Sequence, residues 1–520
     1  MGLGEAREEC GIAAVHLHKD LKHYPHGGAA HYLCKMLLQQ QNRGQLSVGI
    51  TTYSAQRQQI IDTYSDLGTV YEAFRISHPA KRKSIMERYS GTKGIGHVRY
   101  ATSGCDDRSY AQPFERHHGR KWKWFAFAFN GNLANYSELK QKLIADEYHL
   151  VRETDTEVMM HFISKALVGD KKPDIANVFS SLSEQFDGAY NIAFIDAEGN
   201  LIVARDPIGF KPLCYGSDEN IMLAASESAA LTNLDVNKIE FPEPGEMLIA
   251  GNGNIEKKRF AQCKRKAHCM FEWVYFANVS SVIDSKSVYE ARWNLGKELA
   301  KIETEKASAE HVIVPVPDTS KPVADALSYE LGIPAKEGLV RNRYVGRTFI
   351  ESSDRLEKVK DKFTLNRPVI SGKKVILVED SIVRGTTIKI LVQYIKQSGN
   401  AKEVHVRVAC PPIKYPCFYG IDMSTLSELI APKYMKSSIT ENYKDVPSKI
   451  SDGIAKEIGA DSLIYQTYDG LARAIGFENG AKSLCTACLN ADYPTDWGHK
   501  LLEKAQQNFE KHKEKRTYEC

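Results

Sequence analysis

The block from Val375 to Thr387, with the sequence VILVEDSIVRGTT, constrains the fold of this chain more than any other segment. Its apolar run has the length of a buried strand, and it ends in two carboxylates, Glu379 and Asp380. A turn rich in Ser, Gly and Thr follows and opens an amphipathic helix. Other apolar runs in this half also alternate with helices, which predicts a doubly wound parallel sheet. The predicted strands are 312–316, 375–379 and 404–409, and the predicted helices are 322–331 and 386–397.

The end of this strand has the chemistry of a phosphate site. Backbone N–H groups and hydroxyls at a helix amino terminus can hold a phosphate, and the helix dipole favours the negative charge. The two acids can accept hydrogen bonds from ribose hydroxyls and hold Mg²⁺, which prefers oxygen ligands. An ordinary capped turn is the alternative, but the paired acids beside RGTT favour phosphoribose binding. The residues assigned to this site are Glu379, Asp380, Ser381, Arg384, Gly385, Thr386 and Thr387.

The first half of the chain has a different pattern, typical of a mixed α and β domain with antiparallel sheets. Short strands and amphipathic helices alternate without the regular strand–helix order of the second half. A basic stretch at 257–266 predicts a solvated connection and places a domain boundary near residue 260. The predicted strands are 11–17, 48–53, 124–129, 189–196 and 201–204, and the predicted helices are 31–41, 136–147, 156–168 and 175–185. A Lys- and Glu-rich segment at 501–516 predicts an exposed helix or frayed tail.

Composition excludes several classes of protein. A net charge of +4 over 520 residues gives no sign of a nucleic-acid-binding surface. No apolar run approaches the length of a membrane span, and the acidic amino terminus is unlike a signal peptide. A cytoplasmic enzyme is expected, in which most of the 11 cysteines stay reduced and are available for metal binding or catalysis.

Several motifs together resemble one known family. VILVEDSIVRGTT resembles the diphosphoribosyl motif of type I phosphoribosyltransferases, and NRYVGRTFI at 342–350 resembles the flexible loop of glutamine phosphoribosylpyrophosphate amidotransferases. The resemblance to the latter family extends from Cys10 to about Trp497. The other motifs that carry it are ECG at 9–11, RGQ at 43–45, GHVRY at 96–100, NGN at 130–132, TDTE at 154–157 and PCFYGID at 416–422.

This resemblance implies a fold and a division of the chain. The expected fold is an amino-terminal Ntn-hydrolase sandwich with αββα layers, followed by a type I phosphoribosyltransferase domain with a parallel sheet. We expect a propeptide at 1–9, a class II glutamine amidotransferase (glutaminase) domain at 10–260, the phosphoribosyltransferase domain at 261–480, and a carboxy-terminal segment at 481–520.

Cys10 is the predicted nucleophile of the first domain. A thiol needs a base beside it, and an α-amine freed by loss of residues 1–9 could supply that base on the same residue. The alternative is a small buried hydrophobe in a strand, but the resemblance to class II glutamine amidotransferases favours catalysis. It also implies that Arg99 binds the glutamine α-carboxylate, that Asp155 binds the α-ammonium, and that Asn130 and Gly131 form the oxyanion hole.

The resemblance also completes the second site. It implies that 315–321 is a pyrophosphate loop in which Thr319 joins Glu379 and Asp380 near Mg²⁺, and that Arg347 lies in a loop that closes over the substrate. The chain departs from the family pattern in five places: Glu379 replaces the usual Asp, Phe129 replaces a common His, Thr319 replaces the usual Ser, Asn278-Val279-Ser280 replaces Arg-Pro-Asp, and Ser320-Lys321-Pro322 replaces smaller residues.

A CxxC pair, Cys485 and Cys488, adds a possible metal site. By itself the motif fits a zinc knuckle or a redox pair equally well. The resemblance implies a 4Fe-4S cluster whose ligands are Cys269, Cys417, Cys485 and Cys488, the usual complement of four thiolates. Spacing leaves Cys263 and Cys410 as competitors.

Together these features imply an enzyme that converts glutamine, phosphoribosyl pyrophosphate and water to 5-phosphoribosylamine, glutamate and pyrophosphate. The resemblance places this reaction at the first step of purine synthesis, with ammonia passed internally, purine nucleotides as inhibitors and a homotetramer as the assembly. A glutaminase with another acceptor, as in glucosamine-6-phosphate or asparagine synthesis, is disfavoured by VILVEDSIVRGTT. A nucleotide sensor with an idle glutaminase is disfavoured because Cys10, Arg99, Asn130 and Asp155 are all present.

Overall fold

The computed structural model describes residues 10–24, 27–100, 107–251, 255–342, 355–423, 425–435 and 446–511, with only the backbone of 355–358. The predicted propeptide, and Arg347 with most of the predicted closing loop, lie outside the described residues.

The first half forms two antiparallel sheets that pack face to face. The strands of the first sheet are β1 Gly11–Leu17, β2 Ser47–Tyr53, β3 Ile61–Leu67, β4 Lys93–Arg99, β9 Cys214–Ser217 and β10 Ile221–Ala225. Those of the second are β5 Phe114–Arg116, β6 Phe125–Leu133, β7 Gly188–Asp196, β8 Leu201–Ala204, β11 Glu246–Ala250 and β12 Ile255–Arg259. The strand orders are β3-β2-β4-β1-β10-β9 and β12-β11-β8-β7-β6-β5. Small and branched side chains such as Ala14, Ile95, Ala128 and Val203 fill the space between the sheets. Every second residue of each strand points into this space.

Helices cover the outer face of each sheet. Against the first sheet lie α1 Ala29–Gln39, α2 Val70–Ala73, α3 Pro79–Arg88 and α7 Ser228–Thr232; against the second lie α4 Tyr136–Ala145, α5 Asp155–Ala166 and α6 Ile175–Ser183. Leu33 and Leu37 of α1 pack on the first sheet, and Phe162 and Phe179 pack on the second. The expected αββα layering is therefore confirmed.

The second half is a parallel sheet with helices on both faces, as predicted. Its strands, in spatial order, are β16 His311–Pro315, β19 Lys374–Glu379, β20 Glu403–Val408 and β21 Ser462–Tyr465. The helices α8 Val288–Ala300, α9 Lys321–Leu331 and α14 Tyr468–Ile475 share one core, while α10 Arg355–Lys362, α12 Thr386–Gln397 and α13 Ser448–Ile458 share the other. The shorter elements are β13 His268–Cys269, a π-helical turn Glu272–Phe276, β14 Val282–Ile283, β15 Lys286–Ser287, β17 Leu339–Arg341, β18 Phe363–Leu365, α11 Arg367–Ile370, β22 Leu484–Cys485, α15 Ala487–Asn490 and α16 Asp496–Glu510.

Only part of the basic stretch is the solvated connection that its charge suggested. Residues 255–259 are β12, which pairs with β11 at the edge of the second sheet. Arg259 and Lys257 reach Glu246 on β11 at 3.0 and 3.8 Å. The prediction was wrong for this part because an edge strand with one solvent-facing side tolerates a run of lysines. Residues 260–267 have no regular structure and connect β12 to β13, and Lys264 and Lys266 are exposed there.

The carboxy-terminal helix is also more buried than predicted. Leu501, Leu502 and Ala505 of α16 are buried in a core that includes Phe210 of the first domain and Tyr419 of the second. The abundance of Lys, Glu and Gln hid this apolar stripe of an amphipathic helix. In the described part of the chain, no helix is long and apolar enough to cross a membrane.

Candidate active sites

A cavity in the first domain brings together four residues that the sequence nominated: Cys10, Arg99, Gly131 and Asp155. Cys10 immediately precedes β1, and the antiparallel pairing of Gly11 with Val98 places it beside Arg99 at the end of β4. Its Sγ lies 3.6 Å from the carbonyl oxygen of Tyr100, and the residue is partly exposed. The sheet itself therefore places the thiol next to the guanidinium.

Arg99 is fixed from two sides. Its Cζ atom lies 5.5 Å from the centre of the Tyr110 ring, a cation–π contact. Gly44 packs on the Arg99 backbone so closely that a Cβ there would lie 2.6 Å from the Arg99 carbonyl carbon. The glycine of the RGQ motif thus allows the loop after α1 to support this arginine.

Asn130 and Gly131 lie within strand β6 on the wall of the same site. The backbone of Gly131 has a φ of +150°, and a Cβ there would lie 1.9 Å from the carbonyl oxygen of Ala189 on β7. No other residue fits without moving the backbone. Nδ2 of Asn130 donates to Ser226 Oγ at 3.3 Å, and its buried Oδ1 has no hydrogen-bond partner among the described residues.

Asp155 is the first residue of α5, where the positive end of the helix dipole stabilises a carboxylate. Thr154 caps the helix by accepting from the N–H of Glu157 at 3.3 Å. Glu157 in turn accepts from the N–H groups of Val151 and Arg152 at 2.9 and 2.6 Å. The outer residues of the TDTE motif therefore hold the loop that presents Asp155.

Sequence reasoning missed several residues of this cavity. Gln112 Oε1 accepts from the N–H of Phe129 at 2.8 Å, and its Nε2 donates to Thr156 Oγ1 at 3.2 Å. Gln112 thus ties β6 to α5 across the site, and Tyr110 and Phe114 line the cavity beside it. No motif spacing points to them, because only the pairing of β5 with β6 brings this segment to the site.

In the second domain, the predicted metal-associated residues Thr319 and Asp380 are in direct contact. The Thr319 hydroxyl donates to Asp380 Oδ2, and the Ser381 hydroxyl donates to Oδ1 at 2.8 Å. Glu379 ends β19 beside them. The loops after β16 and β19 meet because these neighbouring strands are parallel and end at the same edge, where ligands bind in doubly wound sheets.

The RGTT turn opens α12 as predicted. Gly385 is the cap residue with a φ of +74°, and Thr386 and Thr387 form the first turn. Arg384 is arranged differently from the other loop residues, because its Nε donates to Glu428 at 3.0 Å and its Nη2 donates to the carbonyl oxygen of Asp422 at 3.3 Å. Its assignment to phosphoribose binding stays a prediction, and in this structure its guanidinium is paired with acidic residues.

The four predicted cluster ligands converge between the two domains. Cys269 and Cys485 are paired in the parallel β13–β22 ladder, and Cys488 follows in α15. The thiols of the other three cysteines all lie near that of Cys488. Cys410 also lies near Cys488, whereas the charged neighbours of Cys263 are Lys266, Glu243 and Arg259. The structure thus separates Cys263 from this group and leaves Cys410 within it.

The spacing and burial of these thiols test which metal they fit. Four thiolates around one zinc ion at 2.3 Å would stand about 3.8 Å apart, yet the described residues contain no three cysteines whose sulfurs lie within 4.8 Å of one another. The described sulfurs are therefore not arranged as a closed tetrahedral zinc site. Burial raises the pKa of Cys485 to about 12 and that of Cys488 well above its ordinary value, so bound cations are needed to hold them as thiolates.

One segment, 418–422, touches both sites. The Phe418 carbonyl oxygen accepts from Asn132 Nδ2 at 3.1 Å, and a Cβ on Gly420 would lie 3.5 Å from the carbonyl carbon of Gly131. At its other end, Asp422 contacts Arg384 of the RGTT turn. The wall of the first-domain cavity and the RGTT turn of the second domain are therefore connected through five consecutive residues.

Comparisons with known proteins agree with both halves. Residues 97–233 match the family model described as a glutamine amidotransferase domain, and residues 286–416 match the phosphoribosyl transferase domain. The amidophosphoribosyltransferase of Methanothermobacter thermautotrophicus is 39% identical over 502 residues, which cover 95% of this chain and 96% of that protein. The chain belongs to the amidophosphoribosyltransferase family. The Bacillus subtilis amidophosphoribosyltransferase is 36% identical over 496 residues, which cover 94% of this chain and 94% of that protein.

Solved structures of this family have the same architecture. The structure titled as the allosteric regulatory enzyme of purine biosynthesis matches with a TM-score of 0.80 and 34% identity, covering 94% of this chain and 96% of that one. Glutamine phosphoribosylpyrophosphate amidotransferase from B. subtilis, complexed with ADP and GMP, matches with a TM-score of 0.79 and 33% identity, covering 94% of this chain and 98% of that one. The two-domain fold of this chain is therefore that of an amidophosphoribosyltransferase.

Proposed function

We propose that this chain transfers the amide nitrogen of glutamine to phosphoribosyl pyrophosphate, forming 5-phosphoribosylamine in the first step of purine synthesis. The observation that carries the proposal is the segment 418–422, which contacts Gly131 at one site and Arg384 at the other. Two sites built against one segment suit a reaction in which ammonia made at the first is used at the second.

In the first half-reaction, the Cys10 thiolate attacks the side-chain carbonyl carbon of glutamine. The α-amine of Cys10, freed by removal of 1–9, takes the thiol proton and gives it to the departing ammonia. Arg99 and Asp155 hold the carboxylate and ammonium of the substrate, and Asn130 with the N–H of Gly131 stabilises the oxyanion. Water then hydrolyses the thioester and releases glutamate.

In the second half-reaction, ammonia attacks the ribose C1 and pyrophosphate leaves. The loop from Ser381 to Thr387 holds the 5′-phosphate through N–H groups and hydroxyls. Thr319, Glu379 and Asp380 would hold Mg²⁺, which neutralises charge on the departing pyrophosphate. Arg347 is proposed to approach the pyrophosphate when its loop closes and excludes water.

Further parts of the proposal concern stability and regulation. Cys269, Cys417, Cys485 and Cys488 would hold a 4Fe-4S cluster, which ties distant segments of the chain together. We also propose purine nucleotides as feedback inhibitors, a homotetramer as the assembly and a cytoplasmic location.

Measuring glutamate release and 5-phosphoribosylamine formation with and without phosphoribosyl pyrophosphate tests the proposal. Coupled enzymes should form the two products in equal amounts and hydrolyse glutamine slowly when the second substrate is missing. A chain that binds purine nucleotides but forms neither product would be a nucleotide sensor, and the proposal would fail.

A further inference from the structure

A separate cluster of ionisable side chains lies at the amino-terminal edge of the parallel sheet. Glu305, His311 and His405 each offer one donor atom, and the three atoms lie within 4.8 Å of one another. His311 opens β16 and His405 lies near the start of β20, whereas Asp380 follows the carboxyl end of β19. We propose that this cluster binds a divalent transition-metal ion of the zinc type.

His311 has one ring nitrogen engaged and the other free. Nδ1 lies 2.8 Å from the Ser308 hydroxyl. Only 5% of the residue is exposed, and the buried Nε2 has no hydrogen-bond partner among the described residues. A buried nitrogen without a hydrogen bond is destabilising, and a metal ion bound to Nε2 removes this cost.

His405 is oriented in the way that metal-bound histidines are. Nε2 lies 3.0 Å from Glu403 Oε2, while Nδ1 faces Glu305 Oε1 at 3.4 Å and the Ser462 hydroxyl at 2.9 Å. A carboxylate that accepts from one ring nitrogen fixes the tautomer and makes the other nitrogen an acceptor. A metal ion at Nδ1 would therefore replace the Ser462 hydroxyl as its partner. The second Glu403 oxygen pairs with Lys374 at 2.8 Å, which occupies the nearest lysine.

Glu305 is held in place by its own loop. Glu303 pairs with Arg407 at 2.6 and 2.7 Å, and it also accepts from the N–H groups of Thr304 and Glu305 at 2.8 and 2.9 Å. This anchor fixes the backbone of Glu305 while 29% of its side chain stays exposed, so water can complete the coordination.

The donor set and its spacing suit zinc. Two imidazoles and one carboxylate form a common zinc set, and ligands at about 2.0–2.1 Å in tetrahedral geometry stand about 3.4 Å apart. The Glu305–His405 pair already has that separation. The ion would connect the loop between α8 and β16 to the sheet. Because the cluster is at the opposite edge of the sheet from Asp380, the ion would take no part in either reaction.

Titration of the full-length protein with Co²⁺, followed by its visible spectrum, tests this site. Nitrogen and oxygen ligands give d–d bands without the sulfur-to-metal charge transfer that the cysteine group would produce. We expect one such Co²⁺ per chain and at least about 100-fold weaker binding in Glu305→Gln. Binding should be about tenfold weaker in Glu403→Gln, since losing the carboxylate that orients a metal-bound histidine typically costs about 10–100-fold. Glu310→Gln is the matched control, because Glu310 lies in the same loop but pairs with Lys402 at 3.0 Å.

Thermal unfolding provides a second measurement. Zn²⁺ should raise the unfolding midpoint of the wild type and of Glu310→Gln by more than that of Glu305→Gln, which keeps the cysteine group. The partly exposed Glu305 side chain should not be needed for folding. Equal Co²⁺ affinity in the wild type and Glu305→Gln would overturn the proposal, as would a spectrum with sulfur charge transfer alone. A protein that binds no Co²⁺ would overturn it as well.

Discussion

Nδ2 of Asn132 donates a 3.1 Å hydrogen bond to the carbonyl oxygen of Phe418. Asn132 lies two residues after Asn130 in the same strand, so the strand that forms one wall of the glutaminase cavity is bonded directly to the second domain. A shift of the segment 418–422 therefore changes the surroundings of Gly131 with no intervening element. This contact gives a physical route by which one site can respond to the other.

Replacing Cys10 separates the two reactions. Cys10→Ala should reduce glutamine-dependent synthesis at least about 10³-fold, because the nucleophile is lost, yet spare synthesis from added ammonia. Cys263→Ala, at another partly exposed cysteine, should leave both rates unchanged.

Intact-mass measurement should also find that the active chain begins at Cys10, and active protein that retains residues 1–9 would contradict the proposed base.

Gly131 is predicted to be irreplaceable for reasons of space as well as conformation. Gly131→Ala should abolish glutaminase activity and lower the unfolding midpoint, because its Cβ would collide with the Ala189 carbonyl oxygen at 1.9 Å. Gly332→Ala is the matched control, since it has a φ of +67° but open space around it. It should cost only the left-handed strain of about 1–2 kcal/mol. Equal effects of the two substitutions would show that the collision is relieved.

Asp380 should influence both sites. Asp380→Asn should weaken binding of Mg²⁺-phosphoribosyl pyrophosphate by about 10- to 100-fold, since a charge-assisted contact contributes about 1.5–3 kcal/mol. The same variant should need more of this substrate to stimulate glutamate release. Lys373→Ala, at the opposite end of β19, should leave the stimulation curve unchanged. If Asp380→Asn stimulates normally, the two sites work independently.

The cysteine group should bind iron. Protein purified without oxygen should contain about four irons per chain, and Cys488→Ser should lower both the iron content and the yield of folded protein. Cys263→Ser should retain its iron because that residue lies apart from the group. Stoichiometric zinc without acid-labile sulfide would favour the zinc-knuckle interpretation of Cys485 and Cys488.

A buried ion cluster joins the domains and should contribute strongly to stability. Arg43 pairs with Glu227 at 2.8 Å and with Glu272 at 2.6 Å, and all three side chains are at most 1% exposed. Arg43→Met should cost about 3–5 kcal/mol, because two buried carboxylates lose the cation that both of them bind. Arg75→Met breaks an exposed pair with Asp66 and should cost at most about 1 kcal/mol. Unfolding by heat or urea measures both.

Much of the fold was predictable because local patterns agreed with it. The strands 11–17 and 201–204 and the helix 386–397 were predicted to the residue. Strand β6 was predicted to stop at Phe129 but continues to Leu133, so Asn130 and Gly131 lie within it. Polar residues placed for chemistry interrupt the apolar pattern that identifies a strand, so such elements are underestimated where they carry a site.

Other parts depended on tertiary contacts that no local pattern records. Gln112 reaches the cavity only through the pairing of β5 with β6, and the partners of Arg384 come from a distant segment. His311 and His405 are unremarkable strand residues in the sequence. They approach each other because β16 and β20 lie on either side of β19 in one parallel sheet and start at the same edge.

The pairing of Cys269 with Cys485 has a consequence for the order in which the protein is made. Every strand of the first domain's sheets has left the ribosome before Cys269, so that domain can fold early. The thiol group, by contrast, cannot assemble until almost the whole second domain has been synthesised. Loading of any metal there, and docking of α16 against Phe210, must therefore be among the last events of maturation. A chain shortened before Cys485 should accumulate with a folded first domain but without the assembled thiol group and without α16.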